Sequence, residues 1–429
     1  MPRSASKASL TVVFMTVVVD LLGFGLVLPL IPVYAKELMT DFSDAQMAWT
    51  LGLLMTCYSI MQLVFAPFWG RVSDRVGRRP ILILSLAGST FFYGLFGLAT
   101  MWGSLTWMFV SRAAGGIAGA TIPTAQAYIA DITPMEKRTR GMALIGVAFG
   151  LGFTFGPLLG ALALMGETSA GVSPWPGFTA AGFSLAALTV AVFKLSESLD
   201  PKTATPTRTH LDIKSLWEAL AVPSIVALLA VLFLCNFGFA NFEATLSLVL
   251  SSFLGVEKGG REILLAFAYI GVVQAVVQAF IVRRMAVYAS EGTLCFVGML
   301  LAILGYFGLA LTADPQTGGA LGLMVAASIV VAGLGFVYPS LQSLISRRSD
   351  PAKQGGVLGL GGSLNSLARI TGIIVAMRVH TFRGPTAPFW AATGLMLLAL
   401  FLIAIAVRSG EDWSPEGVGA VEEQNVSAG

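Results

Sequence analysis

Apolar residues run along this chain in long unbroken blocks separated by short polar intervals. Twelve blocks stand out, at residues 9–34, 46–69, 81–101, 104–129, 142–165, 174–194, 220–250, 262–282, 291–312, 319–343, 355–377 and 386–407. Each is close to the ~20 apolar residues that an α-helix needs to cross a bilayer core roughly 30 Å thick. The blocks are continuous rather than alternating, which predicts spanning helices and argues against a β-barrel. The longest polar interval, 195–219, is rich in Pro, Thr and charge and reads as a linker. The pattern therefore predicts an all-α membrane protein of twelve transmembrane helices. Residues 1–194 form one six-helix bundle, 195–219 a central linker, 220–408 a second six-helix bundle, and 409–429 a disordered polar tail.

Composition sharpens this picture. Of 429 residues, 56% are hydrophobic and 11% charged, against about 25% charged in a soluble domain. Residues 81–130 carry one charged side chain, Arg112, and residues 141–193 carry only Glu167. Lys and Arg are distributed unevenly. Nineteen of the 26 fall in intervals on one side of the bundle, together with both termini and the linker; Lys36, Lys258, Arg261 and Arg383 fall on the other. The positive-inside rule makes the basic side cytoplasmic, and a bacterial inner (plasma) membrane is the expected location. A net charge of +3 implies no nucleic-acid partner. The N-terminal block lacks a small-residue cleavage site and reads as a retained first span.

Little in the chain points to enzymatic chemistry. Cys57, Cys235 and Cys295 lie inside apolar blocks, as small core residues do. His210 and His380 have no metal-ligand partners at suitable spacing. "GGVLGLGGS" (355–363) follows no strand and opens a span, so it is not a nucleotide loop. No nucleophile, base and orienter occur together. Neither a metal nor a cofactor is expected; the partners are a small-molecule substrate, protons and the lipid bilayer.

Two features suggest moving halves. "TPMEKRTRGMALIGVAFG" from Thr133 resembles "DPAKQGGVLGLGGSLNS" from Asp350; each is a basic interval running into a Gly-rich span. Repeated halves around a midplane site are a transporter architecture. The second feature is "FWGRVSDRVGRRPILI" (68–83), which places Arg71, Asp74, Arg75, Arg78 and Arg79 between two apolar blocks. Gly70 and Gly77 supply permissive backbone for a tight turn, and Pro80 suits the first turn of the next helix. Positive-inside bias explains the arginines but not Asp74.

Here "GRVSDRVGRRP" resembles the loop 2–3 signature of the major facilitator superfamily, G-x-x-x-D-R-x-G-R-R. "RAAGGIAGATIPTAQAYIADITP" is similar to that family's arginine-bearing fourth span, and "GLGFTFGPLLGA" to the fifth-span signature of its antiporters. With "DLLGFGLVLPLIPVYAKEL", these stretches resemble the twelve-helix drug:proton antiporters, the tetracycline/proton antiporters among them. The resemblance implies a monomer that exports a small amphipathic molecule or drug in exchange for protons. Proton-coupled or facilitated uptake of a metabolite on the same fold is the alternative, and a non-transporting sensor a further one. By the same resemblance, Asp74 would meet the positive end of span eleven near Gly355, and Arg78 would pair with Asp131. Gly70, Asp74, Arg75, Gly77, Arg78, Arg79 and Asp131 would then latch the halves together. Gly152, Gly156, Pro157 and Gly160 would form the flexible antiporter stripe, with Ala161 replacing the motif's last glycine. The tetracycline exporters carry acidic residues in spans three and nine. Phe92 occupies the first of these positions and "CFVGMLLAILGYFG" lacks the second, which implies a substrate other than the tetracycline chelate.

Ionisable residues deep in spans are functional candidates by default. Asp20 and Arg112 fall near mid-depth of spans one and four. Burial and a nearby guanidinium act on a carboxylate's proton in opposite senses, which suits Asp20 to take up and release protons, with Arg112 tuning it. Glu243 in span seven is a second proton site, a contact for a cationic substrate, or an outer-rim residue facing water. Asn236, Gln274, Asn365 and Arg369 lie at intermediate depth in the second half and are candidates for the cavity wall.

Overall fold

The computed structural model describes residues 7–133, 138–165, 172–198, 223–254, 259–349 and 354–409. The expected linker from residue 199 onward, His210, the two basic intervals of the repeat (134–137 and 350–353) and the tail from 410 lie outside the described residues.

Among the described residues, fourteen helices of eight or more residues carry the twelve expected spans. Span one is α1 (Lys7–Val27), a 3₁₀ turn at Leu28–Leu30, and α2 (Ile31–Leu38). Spans two and three are α3 (Asp44–Val76) and α4 (Arg78–Met101). Span four is broken into α5 (Leu105–Ala118) and α6 (Ile122–Ile132). α7 (Arg138–Ala163) and α8 (Trp175–Lys194) complete the first group. The second group is α9 (Pro223–Leu254), α10 (Gly259–Val276, continued by a π turn at Val277–Val282), α11 (Glu291–Thr312), α12 (Ala320–Arg348), α13 (Gln354–Arg383) and α14 (Ala387–Ser409). Among the described residues, ten helical spans are long and apolar enough to cross a bilayer unaided. The other two expected spans are broken span four and α7, whose described apolar run is Gly150–Ala163. Large apolar side chains on the perimeter, such as Phe91, Phe280, Leu321 and Phe401, are exposed. A surface of that kind belongs against lipid. This is an integral, multi-pass membrane protein.

Local chemistry sets the helix ends. Ser43 and Gln46 form a reciprocal capping box at the start of α3, and Ser290 accepts the Thr293 amide at the start of α11. The predicted hinge at 68–83 is mostly helix. α3 runs through Arg75, so Gly70 needs no special backbone; the chain breaks only at Gly77, with φ 111° and ψ 155°. Pro80 occupies the first turn of α4 as expected.

Four apolar clusters organise the interior of the described residues, the smallest being Val277, Val282, Leu294 and Phe336. One, near the termini and the α3–α4 turn (the basic end), draws only on α1, α4, α6, α7, α8 and Leu195, from Val12 to Leu195. A second fills the group after residue 223, with Val33 packed at its edge. A third, at the opposite, charge-poor end, joins both groups: Leu51, Met55 and Tyr58 of α3 meet Ile373, Ala376 and Met377 of α13, while Ala161 and Leu164 of α7 meet Leu264 of α10. Among the described residues, the two groups thus share a core at the charge-poor end. α3–α13 and α7–α10 are the principal cross-group packings. α7 and α13 are the spans that the internal repeat equates.

Glycine sets the closest approach. A Cβ on Gly333 would stand 2.6 Å from the Gly298 carbonyl oxygen and 2.5 Å from the Ala302 amide nitrogen. Both obstacles are backbone, so α11 and α12 touch there without side chains between them. Gly333→Val is expected to destabilise the protein by about 1–3 kcal/mol, read as a lower unfolding temperature in detergent.

Candidate functional site

Asp20 lies two-thirds of the way along α1, half-buried among polar groups of α3 and α4. Ser89 Oγ donates to its Oδ1 at 3.0 Å, and the Tyr93 hydroxyl donates to its main-chain oxygen at 3.4 Å. The Tyr93 and Tyr58 hydroxyls lie next to each other. Gly119 makes the room: a Cβ there would strike the Tyr58 hydroxyl and sit 3.3 Å from Asp20 Oδ2. Asp20 makes no ion pair among the described residues.

Arg112 does not reach Asp20; the tyrosine pair stands between them. Its guanidinium lies over the Tyr58 ring at 4.6 Å and the Phe24 ring at 5.6 Å. It is 2% exposed, and its Nε and Nη2 have no hydrogen-bond partner among the described residues. Sequence reasoning expected both residues near mid-depth of their spans. It had no access to the intervening tyrosines, which come from other spans.

Glu243 and Arg369, assigned separately on sequence, form one ion pair of 2.7 Å. The side chain of Glu243 is 6% exposed and that of Arg369 17%, which removes the outer-rim reading of Glu243. Arg369 also stacks on rings of the first helix group, Phe24 at 4.7 Å and Phe153 at 5.9 Å. Phe24 therefore contacts both guanidiniums. Asn365 lies one turn before Arg369 on the same helix face and is exposed. Asn236 donates to its own helix at Leu232 O, and Gln274 is half-buried on α10.

Span four breaks beside this site. Gly119 and Pro123 end one helix and start the next, which leaves carbonyls without intrahelical partners. Gln62 Nε2 donates to Gly119 O at 3.1 Å and Trp69 Nε1 to Ile117 O at 2.7 Å. Trp69 is thus a structural donor to the broken span. The antiporter stripe of α7 faces α1. Cβ atoms on Gly152 and Gly156 would stand 2.5 Å from Leu21 Cβ and 2.8 Å from Leu22 O, respectively; one on Gly160 would stand 3.0 Å from Leu264 Cδ1 of α10. Pro157 lies within the continuous helix. Thr154 Oγ1 donates to Gly271 O at 3.0 Å, tying α7 to α10.

At the basic end, Arg78 is the hub. It pairs with Asp74 and with Asp131 (3.3 Å), and donates to Ser73 Oγ at 2.6 Å. Glu197, missed because it sits in the interval read as linker, accepts the Arg78 and Arg79 amides at 2.9 and 3.1 Å. Its carboxylate thus caps the start of α4. Arg79 donates to Leu195 O and Val192 O, whereas Arg75 is exposed. Gly77→Ala would force a conformation that is essentially glycine's alone and would drive Cβ into the Glu197 carboxylate. The expected loss is about 1–3 kcal/mol, read by thermal unfolding.

Comparison with known proteins agrees with this architecture. The chain is 28% identical to Tetracycline resistance protein, class B, of Escherichia coli, covering 99% of this chain and 100% of that one. It is 31% identical to the class C protein of Escherichia coli (95% and 98%). It is 30% identical to Major facilitator superfamily domain-containing protein 10 of Homo sapiens (92% of each). The crystal structure of the human organic anion transporter MFSD10 superposes with a TM-score of 0.65 at 27% identity, over 94% of this chain and 100% of that one. The D-xylose-proton symporter structure superposes with 0.74 at 17% identity, over 93% and 97%, and shows the shared fold. Residues 13–373 match the family model described as Major Facilitator Superfamily, and the chain belongs to that superfamily of membrane transporters.

Proposed function

We propose that this protein is a secondary active transporter that exports a small amphipathic molecule from the cytoplasm in exchange for protons. The observation that carries this reading is the asymmetry of the core. Among the described residues, the two helix groups share a cluster at the charge-poor end and keep separate clusters at the basic end. A path sealed at one end and parted at the other is one of the two states that alternating access requires. The positive-inside rule places the basic end, and both termini, in the cytoplasm.

In this reading Asp20 carries the proton, and Arg112, across the tyrosine pair, sets the local charge. Glu243 is the second exchange site. Asn236, Gln274, Asn365 and Arg369 line the path. The moving bodies are the bundles 1–194 and 220–408, working as a monomer. The Arg78 hub is the cytoplasmic latch. Its described contacts are Ser73, Asp74 and Asp131 of the first group and Glu197 at the start of the linker. The tetracycline resistance relatives support the export direction. The missing acids of spans three and nine point to a substrate other than the tetracycline chelate. A second reading, transport of an organic anion, is favoured by the unpartnered edge of Arg112 and by the likeness to the human organic anion transporter.

The test is proton release from acidified everted membrane vesicles on adding cationic, neutral and anionic dyes and antibiotics. Proton release with at least one class is expected. Silence across the whole panel rejects proton-coupled export, and uptake of a metabolite then leads.

A further inference from the structure

Arg369 sits in a site whose chemistry recognises a cation. Below it is a buried carboxylate, Glu243, at 2.7 Å; against its face are the rings of Phe24 and Phe153, at 4.7 and 5.9 Å. A carboxylate with convergent aromatic faces binds free organic cations by the same attractions that hold a guanidinium. The cage is assembled across the helix groups: Glu243 and Arg369 come from α9 and α13, the rings from α1 and α7. Phe239 packs on Phe153 at 6.2 Å and continues the aromatic wall along α9.

We propose that Glu243, Phe24 and Phe153 form the binding cage of an amphipathic organic cation, and that Arg369 fills this cage as a tethered stand-in when no substrate is bound. The proposal rests on the transport reading above and assigns its substrate class. Arg369 reaches the cage from a helix that belongs to the shared core at the charge-poor end. An incoming cation that displaces it therefore removes one tie between the helix groups, so binding and gate release are one event. The anion alternative at Arg112 is weaker on geometry. Two rings lie against that guanidinium and leave it 2% exposed, whereas the cage already holds a positive charge.

The experiment compares binding of tetraphenylphosphonium and tetraphenylborate, near-identical in shape and opposite in charge, to the purified full-length protein in lipid nanodiscs. Tetraphenylphosphonium is expected to bind wild type in preference to tetraphenylborate. Arg369→Gln vacates the cage and tightens phosphonium binding by about tenfold, because self-occupancy lowers apparent affinity in proportion to the occupied fraction. Glu243→Gln weakens it by at least about tenfold, and so does the double variant Glu243→Gln/Arg369→Gln, which leaves no lone buried charge. Phe24→Leu keeps the ion pair and carries the same decision if the charge variants do not fold; a loss of about fivefold is expected. Equal phosphonium affinity across these variants, or tighter binding of the borate, overturns the proposal. Failure here is distinct from failure of the transport reading. Asp20-dependent proton release without the binding pattern sinks the cage alone. The binding pattern without any proton-coupled flux leaves the cage standing and sinks transport.

Discussion

Asp20→Asn is expected to reduce proton release in acidified everted vesicles to the level of empty membranes, while the protein is still made, inserted and folded. The carboxamide has nearly the same shape and keeps an oxygen to accept from Ser89 Oγ, which now sits 3.0 Å from Oδ1. Because Asp20 has no ion pair among the described residues, the change leaves no partner charge stranded, and the large penalty of breaking a buried pair does not arise. What is lost is the ability to bind a proton. Transport down a substrate gradient, which needs no proton, should survive in part. That split between driven and downhill flux separates a proton carrier from a merely structural carboxylate. Equal loss of both would reassign Asp20 to the fold. Tyr93→Phe removes one member of the tyrosine pair and one donor to the Asp20 main chain. It should slow driven flux by about tenfold or less.

The second large effect concerns the charge-poor end. Arg378 of α13 lies over the Trp49 ring of α3 at 4.6 Å and the Phe382 ring at 5.4 Å. Nine residues before it on the same helix, Arg369 is held by Phe24 and Phe153. Between the two clasps the seam is apolar and close: a Cβ on Gly52 would lie 3.7 Å from Ile374 Cα and 3.8 Å from Met377 Cβ. A cysteine fits at position 52 at ordinary contact distance and reports on the seam. In a background lacking Cys57, Cys235 and Cys295, Gly52→Cys should react slowly with an impermeant maleimide added on the charge-poor side. Arg378→Ala removes a cation–π contact worth about 1 kcal/mol. That shifts the closed-to-open ratio, and with it the labelling rate, by about fivefold. Trp49→Leu should do the same, and Arg378→Ala on top of Trp49→Leu should add little, because both remove one contact. An unchanged labelling rate would mean that the apolar seam holds this end by itself.

Most of the fold was legible in the chain because the bilayer restricts the options. Length and continuity of apolar runs leave a helix as the only economical way to satisfy the backbone, so spans, loops and charge asymmetry followed from pattern alone. The boundaries failed where side chains from other spans decide them. α3 continues to Val76 rather than ending near residue 69, because Arg71 to Arg75 remain on the helix and only Gly77 must turn. Span four breaks where Gln62 and Trp69 supply donors to its freed carbonyls.

By itself, the sequence determined that this is a twelve-span membrane protein with few and specific intramembrane charges, and it named those charges. Hydropathy is a local property, and a buried ionisable residue is conspicuous against it. Only the tertiary structure decided how the charges combine. Glu243 pairs with Arg369, 126 residues away, Asp20 leans on Ser89 instead of Arg112, and Glu197 caps a helix that starts 119 residues earlier in the chain. Pairing depends on which helix faces come together and in what rotation. That is set by the summed packing of glycine contacts such as Gly152 on Leu21 and by apolar seams such as α3 on α13. No single segment encodes that sum.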